Sequence, residues 1–127
     1  AGFPGLVVEI FNKNKAFHVK LYEKSPVKRG FLMGVIKELS LNAEVLGDVR
    51  HEVIDSEIII CRAFKKLDQI IQVSREIAKK PHKLMILKGQ NAQEEIKNSF
   101  KTKKYPYKLE SSMTNKDSKI ILMEINK

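Results

Sequence analysis

A regular alternation of strand-like and helix-like segments is the feature of this 127-residue chain that most constrains its fold. Apolar and polar residues alternate in the first strand pattern, and the second pattern is weaker. The third and fourth are continuous apolar runs, which are typical of strands covered on both faces of a parallel sheet. These four predicted strands span residues 17–22, 43–46, 57–61 and 83–87.

Amphipathic helical patterns lie between the predicted strands. Residues 28–41 and 67–78 each carry an apolar stripe at helical spacing, and residues 93–100 form a third such pattern. Pro81 ends the second helix, because proline cannot continue one. The apolar stripe of the first of these helices consists of Phe31, Leu32, Val35, Ile36 and Leu39.

The end of the chain departs from this alternation. Residues 107–113 and 119–125 are predicted as two strands around a turn at 115–117. Alternating β and α segments with a closing antiparallel hairpin predict an α/β fold, a three-layer sandwich whose sheet is mostly parallel. The sequence contains no internal repeat and no linker, so we expect residues 1–127 to form a single domain.

Composition indicates the cellular compartment of the protein. Its apolar runs are too short to cross a bilayer, and its first residues lack the pattern of a signal peptide. A single cysteine excludes an internal disulfide and fits a reducing compartment, so we expect a cytoplasmic protein. Oligomerisation is not predicted.

The net charge of +9 is unevenly distributed. Basic and acidic residues nearly cancel up to residue 63, whereas 15 basic and seven acidic residues follow. A basic half favours a polyanionic partner such as RNA. Because 20 of the 24 basic residues are lysine, a lysine-rich coding bias explains the same charge without such a partner, and both interpretations stay open.

Candidate site residues are those that directly follow the predicted strands, because ligands bind at the carboxyl ends of parallel strands. Glu23 follows the first strand, about 18 residues after the glycine-rich segment 1–5. Its carboxylate can accept hydrogen bonds from both ribose hydroxyls of an adenosine cofactor; a solvated glutamate at a strand end is the alternative. Segment 1–5, before an apolar helical stretch at 6–11, predicts a loop whose backbone approaches a ligand, although such clusters also mark ordinary turns.

The loop 47–52 follows the second predicted strand. It can pack against an adenine ring and offer amides or a carboxylate to the exocyclic amine of that ring; a charged surface loop is the alternative. His51 lies in this loop, but three scattered histidines and one cysteine lack the spacing of metal ligands. We therefore expect no metal site.

Arg62 and Lys88 lie at the ends of the third and fourth predicted strands. An arginine that emerges from a buried strand is costly unless it meets an anion or a polar ligand. The segment 88–90, Lys-Gly-Gln, is a fainter candidate of the same type. Cys61, beside Arg62, is expected to be a buried structural thiol, because no histidine is placed to activate it as a nucleophile.

In their order and spacing these segments resemble the RsmG/GidB family, S-adenosyl-methionine-dependent enzymes that methylate N7 of guanine 527 in 16S rRNA. Segment 1–5 matches the end of the family's glycine-rich loop, and Glu23 falls on its acidic residue after the second strand. The other matches are Lys28 with Phe31-Leu32 (Lys-x-x-Phe-Leu), Asn42 and Val45 with Arg50-His51-Glu52 (Asn-x-x-Val-x-x-x-x-Arg-x-Glu), Cys61-Arg62-Ala63-Phe64 (Ser-Arg-Ala-Phe/Leu), and Leu87-Lys88-Gly89 (Leu-Lys-Gly) followed by Glu94-Glu95.

The resemblance implies a Rossmann-like methyltransferase fold, S-adenosyl-methionine as the cofactor, and 16S rRNA in the small ribosomal subunit as the partner. It also implies that Glu23 lies near the ribose of the cofactor, and that Arg62 and Lys88 are weaker candidates for contact with RNA. No catalytic residue is assigned, because neutral guanine N7 has a lone pair and needs only to be held in line with the methyl group and the sulfur. The residues implied to contact the cofactor directly are Phe3, His51, Glu52 and Arg62.

The chain departs from the family pattern at its start. The family's first strand, the aspartate and glycines of its loop, and the preceding helical region have no counterpart, and Cys61 replaces a serine. The expectation is an N-terminally truncated member whose isolated chain is a poor or inactive methyltransferase. The alternative is a non-enzymatic remnant that at most binds RNA; the matches at 62–64 and 88–89 disfavour a different α/β nucleotide-binding protein.

Overall fold

The computed structural model describes residues 2–12, 18–62, 65–89, 91–100, 104–111 and 119–126. Contacts divide the chain into two compact units, residues 1–52 and 53–127. The helices are α1 (Gly2–Ile10), α2 (Pro26–Glu38), α3 (Leu67–Ile77) and α4 (Ala92–Ser99). The strands are β1 (Val19–Tyr22), β2 (Ala43–Leu46), β3 (Ile58–Arg62), β4 (His82–Lys88), β5 (Tyr107–Ser111) and β6 (Lys119–Ile125), and a short 3₁₀ helix spans Val49–His51.

The first unit is a pair of parallel strands with two helices packed on it. β1 pairs with β2, and the strands end together, with Tyr22 opposite Leu46. Alternation of apolar residues in β1 directs Leu21 into the core, where it is 2% exposed. The core consists of Leu6, Leu21 and Leu32, with Val19, Val35, Ile36, Leu41 and Val45 packed against it.

Helix α1 begins earlier than the sequence predicted. A loop was expected at 1–5 and a helix at 6–11, whereas the helix spans Gly2–Ile10. Pro4 is tolerated in the first turn, because its missing N–H would have no partner within the helix there. A Cβ at position 5 would collide with Cδ2 of the buried Leu21, so Gly5 allows α1 to pack closely on β1. The loop prediction for residues 2–5 is therefore wrong.

The apolar stripe predicted for α2 is buried only in part. Leu32 is buried, and Val35 and Ile36 pack on the same core, but Phe31 is 70% exposed and Leu39 is 52% exposed. Two strands spaced about 5 Å apart offer a surface narrower than the stripe, which explains why its flanks remain uncovered.

The second unit contains a four-stranded sheet in the order β3-β4-β6-β5. β3 and β4 are parallel, and β6 runs antiparallel to both of its neighbours, as the predicted C-terminal hairpin requires. Positions 112–113 of the predicted strand and the predicted turn at 115–117 lie outside the described residues, as does Phe17. Helices α3 and α4 pack against one face, and the core consists of Leu67, Ile70, Ile71, Leu84, Ile86, Ala92, Ile96, Tyr105, Ile121, Met123 and Ile125.

The sequence predicted that the apolar runs of β3 and β4 are covered on both faces. The structure shows that they are not. Ile58 is 40% exposed, and in β4 the buried Leu84 and Ile86 alternate with the exposed Lys83 and the half-buried Met85. Within the described residues β3 pairs only with β4, and β1 only with β2. The strands therefore form two sheets, not the one sheet expected, because no described strand pairs with both β1 and β3.

Candidate functional site

The carboxyl ends of β1 and β2 lie side by side at one edge of the first unit. The N–H of Glu23 donates to the carbonyl oxygen of Leu46 at 3.0 Å, so the pairing continues one residue past β1. Glu23 and the loop 47–52, which the sequence identified separately as site segments, consequently start from the same edge.

The carboxylate of Glu23 is held in place as an ionised acceptor. The N–H of Ser25 donates to Glu23 Oε1 at 3.1 Å. This hydrogen bond is the main reason why the pKa of Glu23 is lowered, and the positive charge of Lys28 lowers it further. Arg29 Nη1 donates to the carbonyl oxygens of Glu23 and Lys24, each at 2.8 Å, which fixes the backbone of the same segment.

The start of α2 explains how the segment that carries Glu23 is held. Ser25 has an extended backbone and caps the helix, its Oγ accepting the N–H of Lys28 at 3.3 Å. Pro26 occupies the first helical turn, where its fixed φ suits the helix. The cap turns the chain directly after β1 and leaves Lys28 near the carboxylate.

The loop after β2 is closed by an internal ion pair. Asp48 caps the 3₁₀ helix by accepting the N–H of Arg50 at 3.0 Å, and its Oδ2 accepts from Arg50 Nη2 at 2.7 Å. The hydrogen bond and charge of Asp48 raise the pKa of Arg50. One of the two carboxylates that this loop could offer to a ligand amine, that of Asp48, is therefore engaged with Arg50.

The charge of Glu52 acts on the phenol of Tyr22. Tyr22 was not among the candidate residues that the sequence identified. Burial raises the pKa of Tyr22, and the charges of Glu52 and Glu44 raise it further. Since Tyr22 directly precedes Glu23, the charge of Glu52 acts at the end of the strand that Glu23 follows. An aromatic residue at the last position of a strand before an acidic one was the available signal.

Two of the predicted cofactor contacts, Phe3 and His51, are described by their backbone only. Phe3 belongs to α1 and His51 to the 3₁₀ helix after β2, but their side chains lie outside the part of the chain that the structure describes. Their roles stay predictions.

In the second unit, Arg62 and Lys88 lie at one edge of the four-stranded sheet. Arg62 is the last residue of β3 and pairs with Leu87, the neighbour of Lys88. Arg62 is exposed, so the argument that a buried arginine must find an anion does not hold. The physical reason is that β3, among the strands that the structure describes, is an edge strand of its sheet.

The ammonium group of Lys88 has a protein partner. Lys88 Nζ lies 2.5 Å from Glu95 Oε2, and the lysine side chain is only 13% exposed. Glu95 Oε1 also accepts the N–H of Leu67 at 3.3 Å, so one carboxylate connects the end of β4, the start of α3 and helix α4. The predicted contact of Lys88 with RNA stays a prediction.

A groove adjoins this ion pair at the carboxyl end of β4. Its volume is about 320 Å³, which is near the lower limit for small-molecule sites. The sequence identified the segment 88–90 beside it as a faint candidate but missed Glu94 and Asn98, which are spaced one helical turn apart directly after a strand and a glycine. Its lining residues are Lys88, Gly89, Asn91, Glu94, Glu95 and Asn98.

Cys61 has the character of a structural thiol. It is half-buried in β3 and packs against the core of the second unit, and burial raises its pKa to about 12. Among the described residues, no three His, Cys, Asp or Glu side chains are grouped so as to hold a metal ion. Within the same residues, no helix has the length and apolar character needed to span a membrane.

Parallel strands with polar residues at their carboxyl ends and a closing antiparallel hairpin define a Rossmann-like α/β fold, and solved structures confirm that predicted class. A Streptococcus mutans protein assigned as a SAM-dependent methyltransferase matches 84% of this chain and 38% of its own, with TM-score 0.57 and 15% identity. TYW2 of M. jannaschii, in complex with AdoMet, matches 83% of this chain and 55% of its own, with TM-score 0.54 and 18% identity.

The family follows from the sequence. The model of the family described as GidB, rRNA small subunit methyltransferase G, matches residues 1–122. Ribosomal RNA small subunit methyltransferase G of Pelagibacter ubique is 32% identical over 130 residues, which cover 99% of this chain and 60% of the relative. The chain belongs to the rRNA small subunit methyltransferase G family, as the resemblance implied, and spans three fifths of that relative's length.

Proposed function

We propose that the protein transfers the methyl group of S-adenosyl-methionine to N7 of guanine 527 in 16S rRNA, within the small ribosomal subunit in the cytoplasm. The observation that carries the proposal is the fixed, ionised carboxylate of Glu23 at the carboxyl end of β1, in a chain of this family. The name of the Pelagibacter relative supports the choice of small-subunit rRNA.

The residues at the edge of β1 and β2 fit the adenosine part of the cofactor. A ribose presents two neighbouring hydroxyl donors, and an ionised carboxylate is purely an acceptor. Because the pKa of Glu23 is lowered, this acceptor persists to lower pH than an ordinary glutamate would allow. We assign Glu23 to the ribose, and Phe3, His51, Glu52 and Arg62 to further contacts with the cofactor.

The proposed chemistry needs little from the protein beyond placement. S-adenosyl-methionine supplies an electrophilic methyl group on a sulfonium, and neutral guanine N7 supplies the lone pair. No general base is required, so the chain contributes orientation of the two reactants. Cys61 is not a candidate nucleophile, because a pKa of about 12 keeps its thiol protonated.

The proposed RNA partner agrees with the distribution of charge. Residues from 64 onward contain 15 basic and seven acidic side chains, which favours phosphate binding by the second unit. We keep Arg62, which is exposed at the edge of that unit, as a weaker candidate for contact with a phosphate or a base.

Replacing Glu23 with alanine tests the cofactor site. We expect Glu23→Ala to weaken S-adenosyl-methionine binding roughly 10- to 100-fold, because two hydrogen bonds to a charged acceptor are lost. Glu38→Ala, which removes the same charge at the exposed end of α2, should bind normally. Calorimetric titration measures both, and an unchanged affinity of Glu23→Ala would remove Glu23 from the site.

Transfer of a labelled methyl group to small ribosomal subunits that lack the modification tests the reaction. The assay compares the 127-residue chain with a chimera in which the N-terminal segment of the Pelagibacter relative precedes it. Labelling of 16S rRNA by the chimera is expected. Binding of RNA without labelling by either protein would favour the alternative of a non-enzymatic, RNA-binding remnant.

A further inference from the structure

The groove at the carboxyl end of β4 has no role in the cofactor assignment. It lies between the end of β4 at Lys88-Gly89 and helix α4, wholly within the second unit. Its lining residues offer the ammonium group of Lys88, carboxylates, primary amides and the backbone of a glycine. Sites at the carboxyl ends of parallel strands are where α/β folds bind ligands.

Two of the lining residues neutralise each other and hold the groove's shape. The ion pair between Lys88 and Glu95, together with the hydrogen bond from Leu67 N–H to Glu95, joins three elements. Since Lys88 and Glu95 are mostly buried, this connection is screened less than a surface pair would be. The groove is therefore bounded by a fixed wall.

The remaining lining side chains are available for a ligand. Asn91, Glu94 and Asn98 are exposed, and within the described part of the chain their side chains have no hydrogen-bond or ion-pair partner. Glu94 and Asn98 are four residues apart on α4 and thus share one face of the helix. Asn91 adopts a left-handed backbone, with φ of 70°, directly before that helix.

We propose that this groove binds the substrate guanine by its Watson–Crick edge, an inference that rests on the proposed function. That edge presents two adjacent donors, N1–H and the 2-amino group, beside the acceptor O6. The carboxylate of Glu94 accepts the two donors side by side, and an amide of Asn91 or Asn98 donates to O6.

This orientation suits methylation at N7. N7 lies on the opposite edge of the purine from N1 and the 2-amino group. A base held by its Watson–Crick edge therefore keeps N7 out of contact with the groove, so that the lone pair of N7 stays available to accept a methyl group. Adenine would place the lone pair of its N1 against the carboxylate of Glu94, so the same groove rejects adenine.

Nucleotide titration of the whole 127-residue chain tests the proposal without cofactor or ribosomal subunits. Guanosine 5′-monophosphate is expected to shift the NMR signals of the Gly89 amide and of the Asn91 and Asn98 side-chain amides. Inosine 5′-monophosphate, which lacks the 2-amino group, should bind roughly 10-fold more weakly, and adenosine 5′-monophosphate more weakly still. Absent shifts, or equal shifts with all three nucleotides, would overturn the proposal.

Glu94→Gln and Glu124→Gln form the matched pair of variants. Glu124 is an exposed glutamate on β6 that pairs with Lys83, near the amino end of β4, far along the strand from the groove. Glu94→Gln should weaken guanosine 5′-monophosphate binding roughly 10-fold, because an amide N–H faces a donor, whereas Glu124→Gln should bind normally. An equal loss of affinity in both variants would show that the effect comes from charge alone and would refute guanine binding in the groove.

Guanine binding in the groove and the proposed methyltransferase function can be refuted independently. An unchanged rate and KM of methyl transfer in Glu94→Gln would rule out guanine binding in the groove and leave the proposed function intact. Selective guanine binding by a chain that transfers no methyl group in any context would support the groove and refute the methyltransferase assignment.

Discussion

Cys61 lies in β3 with its thiol packed against the core of the second unit, and burial raises its pKa from 9.0 to about 12. Each pKa unit is a factor of ten, so near neutral pH the native thiolate is roughly 1,000-fold scarcer than in the unfolded chain. We therefore predict slow alkylation by iodoacetamide in the native protein and fast alkylation in denaturant, as followed by mass spectrometry. Equal rates would mean that the thiol is accessible and ionisable.

The same shift sets a pH dependence of stability. The unfolded thiol ionises first, so the contribution of the neutral, buried thiol is complete below pH 9.0 and declines as the pH rises toward about 12.

Gly5 and Gly34 are both helical glycines, but only Gly5 is closely packed. A methyl group at position 5 meets the buried Leu21, whereas nothing lies within 4 Å of a Cβ at position 34. Overpacking costs about 1–3 kcal/mol and helix preference returns up to about 1 kcal/mol, so Gly5→Ala should destabilise the protein. Gly34→Ala should stabilise it by about 0.5–1 kcal/mol. Urea unfolding measures both, and a stabilised Gly5→Ala would refute the close packing.

Individual site residues were predictable where chain position alone determines them. Glu23 was identified as a candidate because it directly follows a predicted strand. Its hydrogen bond from the N–H of Ser25 was not predictable, because that bond depends on the cap of α2. The burial of Arg62 was wrongly expected, because the sequence does not show that, among the described strands, β3 pairs only with β4. The pairing of Lys88 with Glu95 was not predicted, because it depends on how α4 packs.

At the scale of elements, α2 ends in a motif that can be tested. The N–H of Leu41 donates to the carbonyl oxygen of Ile36 at 2.9 Å, and the N–H of Ser40 donates to that of Lys37 at 3.3 Å. This is the Schellman pattern, and it places Ser40 in the left-handed region with φ of 52°.

Ser40→Gly should stabilise the protein by about 1 kcal/mol, because glycine adopts this conformation without a Cβ penalty. Ser40→Ala keeps the Cβ and should give no such gain. Thermal and urea unfolding of the two variants provide the measurement, and the idea fails if alanine stabilises the protein as much as glycine does.

Most elements were predictable from hydrophobic periodicity. Helices α2, α3 and α4 and strand β6 lie within a few residues of their expected bounds, because each buries one regular face. Helix α1 was misjudged at its start, because Gly-Phe-Pro-Gly has the composition of a turn. The contact between Gly5 and Leu21 that favours the helix is tertiary and leaves no local signal.

At the scale of the whole molecule, two strand edges matter most. Within the described residues, β1 and β3 each pair on one side only, which leaves a row of backbone groups without a strand partner on the other. The sequence predicted a single domain, and this stays a prediction. Contacts between residues divide the chain into two compact units. The Rossmann-like class was predictable from the alternation of elements, whereas the division into two sheets depends on pairing that one sequence cannot reveal.

We propose above that this chain belongs to an enzyme that methylates N7 of guanine 527, and the modification state of that nucleotide in cells tests the proposal most directly. A bacterium whose own copy of this methyltransferase is deleted would express either the 127-residue chain or the chimera carrying the Pelagibacter N-terminal segment. Mass spectrometry of 16S rRNA fragments then locates any methyl group. We expect 7-methylguanosine at position 527 with the chimera and its loss in the chimera bearing Glu23→Ala. An unmodified guanine 527, or a methyl group on another atom or nucleotide, would contradict it.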